Sequence, residues 1–386
     1  MRRFAMLVAM VLMATACEPV QQATHLPDPI ELQLLWRRSA QHYAGRHLSV
    51  AVLSPCAIWT TGMEAAAWSC GSDSLRTLPT GEGPGEFIQP WLAAEWGGDS
   101  VAIWDARLRR LSILHATGSL GRVVALPISA EQGRVAGLFR RDTTLRVWTN
   151  PFPLAFGNGA IDSAAHVWAV RPGAASLGAA LISFPGPHST IIRDERTFSR
   201  VDAPVRRKPL VASLEDGTLL VGSTGSDTVM VHDWDGAVLD TLVLGLPSEP
   251  VIAEDRSRYR DSVRKSFRDE LAGQQLGAEL NAFFLERAEE IVDAAQWPAT
   301  RQQLDLIVAG QPGEFWVLLP AFGTGYEREW RVYRTDGSAR TVYHVPHAGS
   351  VMAAVVSGDT LTTLEVQFHQ DTVSLARYAL PRARPR

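Results

Sequence analysis

The sequence predicts an all-β protein, a single β-propeller expected to have six blades of about four antiparallel strands, with a helical hairpin inserted between two of them. Three observations carry this. The run from Gly81 to Gly118 opens on a glycine-rich turn and continues as three short apolar segments, Trp91 to Trp96, Ser100 to Trp104 and Leu111 to Leu114, punctuated by Gly97-Gly98 and Thr117-Gly118. Glycine supplies the positive φ that tight turns between strands require. The same rhythm returns in Asp216 to Gly236, where setting Gly236 on Gly118 aligns Val229-Met230-Val231 with Leu111-Ser112-Ile113, and again in Glu314 to Gly337. Repeats of about 40–50 residues built from several short strands mark propeller blades. Finally, one segment, 248–299, abandons strand spacing for a helical one.

Taken in chain order, residues 1–16 read as an export signal: Arg2 and Arg3 precede an apolar stretch, Phe4 to Met13, too short to span a bilayer. Ala14-Thr15-Ala16-Cys17 resembles the bacterial lipobox, with Ala14 where leucine is commoner, so Cys17 is the expected lipidation site and mature N-terminus. Several acyl chains, at about 0.8 kcal/mol per buried methylene, would hold the chain on a membrane surface. Loss of Arg2 and Arg3 would move the formal charge from −4 to −6. Glu18, rather than Asp, follows Cys17, which favours the outer membrane in a cell that has one. Residues 17–47 then form a tether. Asp28 as a cap, Pro29 at the first helical position, Glu31, and Ile30, Leu34 and Leu35 at helical spacing predict a short helix within it.

The propeller is expected over 48–386, with blades at Leu48 to Leu78, Ile88 to Pro127, Val135 to Arg193, Pro209 to Leu244, Leu304 to Val345 and Val351 to Pro381; five or seven blades remain open. A strand from one terminus is expected to complete a blade formed by the other, because closure hides strand edges. Cys56 and Cys70 flank two strands around Thr61-Gly62. In an oxidising envelope they read as a disulfide across a hairpin if their Cα atoms approach within about 7 Å. In the insertion, Tyr259, Val263, Phe267 and Leu271 recur every fourth residue, and a second helix carries Phe283, Ala288, Ile291 and Val292. An insertion of this size reads either as a solvated ornament or as a lid or docking element.

The turn and first repeat resemble an NHL-type repeat: Gly81, Gly83, Pro84, Gly85, Glu86 and Phe87 form the turn, and Pro90, Asp99, Asp105, Arg110 and Gly118 follow at the repeat's positions. The wider chain is similar to bacterial envelope proteins known as six-bladed β-propellers, which carry the same GPGEF turn. Asp216 to Gly236 departs from the repeat, with Ser223 and Thr228 at the Asp and Arg positions.

Composition bounds function mainly by exclusion. The chain is 46% hydrophobic and 20% charged, ample for a large core, and its net charge of −4 lacks the basic cluster that nucleic acid requires. Two lysines stand against thirty-five arginines, a skew that records genome composition rather than a task. There is no HExxH, GxSxG, Walker loop or dinucleotide fingerprint. GEGPGEF has a proline and two acids where a phosphate cradle needs free N–H groups and a lysine. His344 and His347 flank Val345-Pro346, which denies the helix that would pair them. Turn aspartates bond their own backbone, while Trp91 and Trp96 are candidates either for wedges between blades or for a central pocket.

Three function classes follow. The first is a non-catalytic envelope propeller binding a protein, peptide or glycan, expected as a monomer without cofactor or metal. The second is a Ca²⁺- or Zn²⁺-dependent hydrolase like the lactonases and gluconolactonase relatives, disfavoured by the scarcity of asparagine (Asn150, Asn158, Asn281). The third is a structural or assembly lipoprotein of an envelope complex.

Overall fold

The computed structural model describes residues 26–381 apart from 42–48, 54–55, 61–65, 71–75, 130–131, 152–158, 162–163, 172, 175, 188, 194–197, 203–207, 273–277, 296, 321–326 and 368–371. The N-terminal segment supplies β1 (Ile30–Glu31) and β2 (Gln33–Gln41). The first sheet is β3 (Ser49–Leu53), β4 (Cys56–Thr60), β5 (Ala66–Cys70) and β6 (Arg76–Thr77), and the second is β7 (Pro90–Gly97), β8 (Ser100–Asp105), β9 (Arg110–His115) and β10 (Leu120–Ala125). Next come β11 (Arg134–Arg141), β12 (Thr144–Asn150), β13 (Gly159–Ile161), β14 (Ala164–Val170) and β15 (Ala180–Pro185), of which β13 leaves to pair with β16 (Ser189–Arg193), itself paired with β17 (Phe198–Asp202). The fourth sheet is β18 (Pro209–Ser213), β19 (Leu219–Ser223), β20 (Thr228–His232) and β21 (Val238–Val243), followed by helices α1 (Ala253–Ala272) and α2 (Ala278–Ala294). The last two sheets are β22 (Leu306–Ala309), β23 (Glu314–Leu318), β24 (Glu327–Arg334) and β25 (Ala339–Pro346), then β26 (Ser350–Ser357), β27 (Thr360–Gln367) and β28 (Thr372–Ala379).

These sheets form a β-propeller. Within each, consecutive strands pair antiparallel, and the first strand in chain order lies innermost, where β3 meets β7, β7 meets β11, β18 meets β22, β22 meets β26 and β26 meets β3. Each junction has its own apolar filling. Ile103 and Leu114 pack on Ile58, Trp104 on Val135 and Val147, and Val167 and Ile182 on Leu219. Leu220 and Val229 meet Phe315, Trp330 meets Leu361 and Tyr378, and Leu364 and Leu375 meet Trp59. Alternation of side chains along each strand lets one sheet serve both neighbours.

Two expectations are corrected. Six regular blades were expected, and the four-stranded blades are five. The β22–β25 sheet has five strands because β1 adds in parallel to its outer edge, pairing Ile30 with Tyr343 and Glu31 with His344. The block expected as Val135 to Arg193 also divides, its last part joining the separate three-stranded sheet of β13, β16 and β17. The second correction is the tether helix, which is absent: β1 and β2 occupy those residues, and β2 pairs antiparallel with β28. Ile30, Leu34 and Leu35, the supposed helical stripe, are exposed, and Leu32 is the buried residue. An open sheet edge with unpaired N–H and C=O groups outweighs a weak local propensity. The expected closure of a blade by the opposite terminus takes place through this same strand.

Candidate functional site

Asp105 and Arg110, singled out by the resemblance noted in the sequence, hold the chain together around the GPGEF turn. Asp105 is fully buried at the end of β8. Its Oδ2 accepts from the N–H groups of Ile88 (2.7 Å) and Gln89 (3.0 Å), and its Oδ1 from those of Arg107 (3.0 Å) and Leu108 (2.9 Å). Arg110 donates to the carbonyls of Glu82 (2.9 Å), Gly83 (2.6 Å) and Glu86 (3.0 Å). Glu86 accepts from the Gly83 N–H at 2.7 Å, and Phe87 plugs the core at 2% exposure. Gly81 and Gly85 have φ of 152° and 81°, a region that side chains rarely adopt, so both positions favour glycine. Pro90 opens β7, and Gly118 closes the β9–β10 turn, donating to His115 at 2.8 Å. All lone pairs of Asp105 face backbone donors, which leaves it no capacity for a substrate or metal.

Trp91 and Trp96 are wedges between sheets. Both are buried, with the Arg134 guanidinium 4.2 Å from one ring centroid and that of Arg140 5.0 Å from the other. Arg140 also donates to the Trp96 carbonyl. Between them Glu95 retains access to water on the innermost strand while protein encloses the rest of its carboxyl, and this partial burial raises its pKa.

The densest polar cluster was not foreseen. Glu365 on β27, with a fully buried side chain, accepts from His347 Nδ1 (2.8 Å), Tyr378 OH (2.8 Å), Thr363 Oγ1 (2.8 Å), the Ala348 N–H (2.7 Å) and Arg37 Nη2 (3.3 Å). Trp330 Nε1 donates to His347 Nε2 at 3.2 Å, which fixes the imidazole as the neutral Nδ1–H tautomer. Burial lowers the His347 pKa, outweighing the bond to Glu365, and the nearby charges of Arg328 and Arg37 lower it further. Burial opposes the Glu365 charge, but the bonds from His347, Ala348 and Thr363 outweigh it and hold that pKa low. Burial and the facing carboxylate raise the Tyr378 phenol. Arg37, on β2, also donates to Tyr378 OH (2.9 Å) and the Pro346 carbonyl (3.2 Å). His347 and Glu365 thus form a latch joining the N-terminal strand to the last sheet, closed to any substrate. His344 stays apart on β25, half-buried.

The longest connections gather on one face. Because strands alternate in direction, the links between sheets and the turns between second and third strands leave from one side, and the remaining turns from the other. The first side carries the GPGEF turn, the small β13-β16-β17 sheet and both helices, and α2 comes close to β16. The other side carries tight turns such as 98–99, 142–143 and 358–359. The helical insertion has a clamped base. Pro250 bridges Thr300, and Arg301 binds Glu249 at 2.6 Å and Asp255 at 2.9 Å. Arg264 grips Glu289 through two bonds of 2.6 and 2.7 Å across the helices, and Tyr259 meets Trp297 edge-on at 5.6 Å. Buried Ala288 and Val292 form its apolar seam, while Ile252 and Leu285 face water.

Of the other expected positions, Cys17 lies outside the described residues. Cys56 and Cys70 are direct partners in the β4–β5 register. Asp216, Asp233 and Asp336 bond backbone N–H groups of their own turns, as expected of turn aspartates. Among the described residues no three His, Cys, Asp or Glu side chains converge to hold a metal ion, and no helix is long and apolar enough to cross a membrane.

No family model matches the chain, and no curated protein does. Among solved structures, it is similar to a member of the DUF4221 family from Bacteroides vulgatus, at 9% identity over 92% of this chain and 99% of that one with a TM-score of 0.45. Virginiamycin B lyase from Staphylococcus aureus matches at 9% identity over 90% of this chain and 99% of that one, with a TM-score of 0.42. The calcium-binding protein regucalcin from Agrobacterium tumefaciens matches at 13% identity over 90% and 94%, with a TM-score of 0.40. Likeness at these values carries no argument about substrate or site.

Proposed function

We propose that this chain is a cell-envelope β-propeller, anchored through lipid on Cys17, that binds a protein, peptide or glycan on its long-connection face and catalyses no reaction. The observation that supports this is the division of labour between the faces. The small sheet and the clamped helical hairpin stand on one side of the ring, whereas the buried polar groups Asp105, Arg110, His347 and Glu365 are engaged in holding the fold. Exposed connections on a rigid scaffold are where recognition is built. A disulfide between Cys56 and Cys70 suits the direct register of β4 and β5 and an oxidising compartment.

The test pairs full-length protein with a variant in which residues 253–294 are replaced by a short glycine-serine link across the Pro250–Thr300 bridge. A partner captured from detergent-solubilised envelopes by the first and lost by the second, with melting temperature preserved, supports the reading; identical capture by both overturns the role of this face. In fractionated cells, Cys17→Ser should move the protein out of the membrane pellet. If it stays there undiminished, the anchor is wrong. Thiol labelling of denatured, unreduced protein should leave Cys56 and Cys70 unmodified.

A further inference from the structure

Ile30, Leu34 and Leu35 are 41%, 37% and 49% exposed, three large aliphatic side chains turned to water within one stretch of six residues. Ile30 lies on β1 and the other two near the start of β2, where the chain crosses from the rim of one blade to the rim of the next. Leu32 between them is buried, which pins the stretch to the ring. The register on β28 steps from Leu34 to Trp36, so Leu35 stands in a bulge outside the ladder, at the outer edge of the sheet. Trp36 is half-buried, and the Arg38 guanidinium lies 5.7 Å from its ring centroid. Aliphatic side chains followed by tryptophan and arginine are the composition of surfaces that sit at the headgroup level of a bilayer.

We propose that Ile30, Leu34 and Leu35 form a membrane-contact patch, which seats this part of the rim in the lipid surface that anchors the chain. The choice of a lipid surface rests on the reading of Cys17 as the acylated residue. Ile30 follows Cys17 by thirteen residues, at most about 45 Å of chain, so acyl groups there hold the patch beside a bilayer and keep its effective concentration at the surface high. An anchor at one point leaves the ring free to tumble, whereas a second contact fixes its orientation. Gln33 pairs with Ala379, and Ala379 pairs with Thr360 next to the 358–359 turn. The patch therefore stands on the tight-turn side of the rim, and its contact with lipid points the long-connection face away from the membrane.

The experiment uses the full mature chain with Cys17→Ser, held on phosphatidylcholine vesicles through an N-terminal histidine tag and a nickel-chelating lipid, so its outcome does not depend on acylation. A nitrobenzoxadiazole label on Leu35→Cys should brighten about two-fold or more on tethering, because the site enters an apolar layer. Adding Ile30→Gln and Leu34→Gln should remove the brightening. The same label on Val123→Cys, an exposed site on β10, should not change. No brightening at Leu35→Cys while the protein sediments with the vesicles, or equal brightening at Val123→Cys, overturns the proposal. Brightening that needs only raised protein concentration and no lipid assigns the patch to a second copy and overturns it as well. The two readings fail separately: the anchor is judged by the fractionation of Cys17→Ser, the patch by the label.

Discussion

Replacing Glu365 with glutamine isolates the latch with little change of shape. The carboxylate receives hydrogen bonds from His347, Thr363, Tyr378, Ala348 and Arg37 and offers no donor of its own. An amide carries two donors on one side. Placed toward Ala348 and Arg37, its NH₂ group meets other donors, and placed toward His347, Thr363 and Tyr378 it meets three more. Either orientation leaves buried polar groups unmatched and removes the counter-charge of Arg37. Breaking a buried, charge-bearing network of this kind costs about 3–5 kcal/mol. At an m-value near 3 kcal/mol/M in urea, the unfolding midpoint should fall by about 1–1.7 M. Trp330, which donates into the cluster, is one of twelve tryptophans whose fluorescence together follows the unfolding transition. A shift below about 0.3 M would refute the reasoning, showing that the five bonds contribute little beyond packing.

The pH dependence of stability follows from the same groups. Both His347 and Glu365 have folded-state pKa values below their unfolded ones, so in each window the unfolded chain binds more protons and stability rises with pH. As pH falls, stability should decline first below the ordinary histidine value of about 6.5 and again below the ordinary carboxylate value of about 4.3. His347→Gln should shrink the first decline to the part left by His166, whose pKa burial also lowers, and keep the second in urea titrations across that range; an undiminished first decline would place it elsewhere. Asp105→Asn should cost about 2–4 kcal/mol, because four backbone donors then face one oxygen and one NH₂ group. Its signature is early hydrogen exchange at Ile88 and Gln89, and unchanged protection there would show that the GPGEF turn holds itself.

Legibility tracked the range of the interactions. The hairpins repeating around Asp105 and Arg110, the opposition of Cys56 and Cys70, and the helices Ala253–Ala272 and Ala278–Ala294 within the expected 248–299 all depend on neighbours close in sequence. The latch depends on residues that only ring closure brings together: Arg37 and Glu365 are 328 positions apart, and Arg37 and Tyr378 are 341 apart. Single charged residues scattered over that length carry no local pattern. The tether was misjudged for a related reason. Ile30, Leu34 and Leu35 satisfy a helical template, yet β28 offers β2 an edge on which eight of its residues pair, and no local template registers an edge formed at the other end of the chain.

That strand gives the N-terminal segment two separable tasks. Ile30 follows Cys17 by thirteen residues, a covalent span of at most about 45 Å, and strand pairing of this segment begins at Ile30. From Ile30 onward the chain is structural. Leu32 is buried in the cluster of Trp330 and Tyr378, and Arg37 supplies the only cation bonded directly to Glu365 among the described residues. Truncation up to Asp28 should therefore leave the melting temperature unchanged. Truncation up to Gln41 bares the edge of β28, deletes Leu32 at about 1.5–3 kcal/mol, and leaves the Glu365 carboxylate buried without its arginine. This shorter protein should aggregate or melt at least 10 °C lower. Equal stability of the two truncations would mean that the last sheet stands on three strands alone and that β2 belongs to the tether and not to the ring.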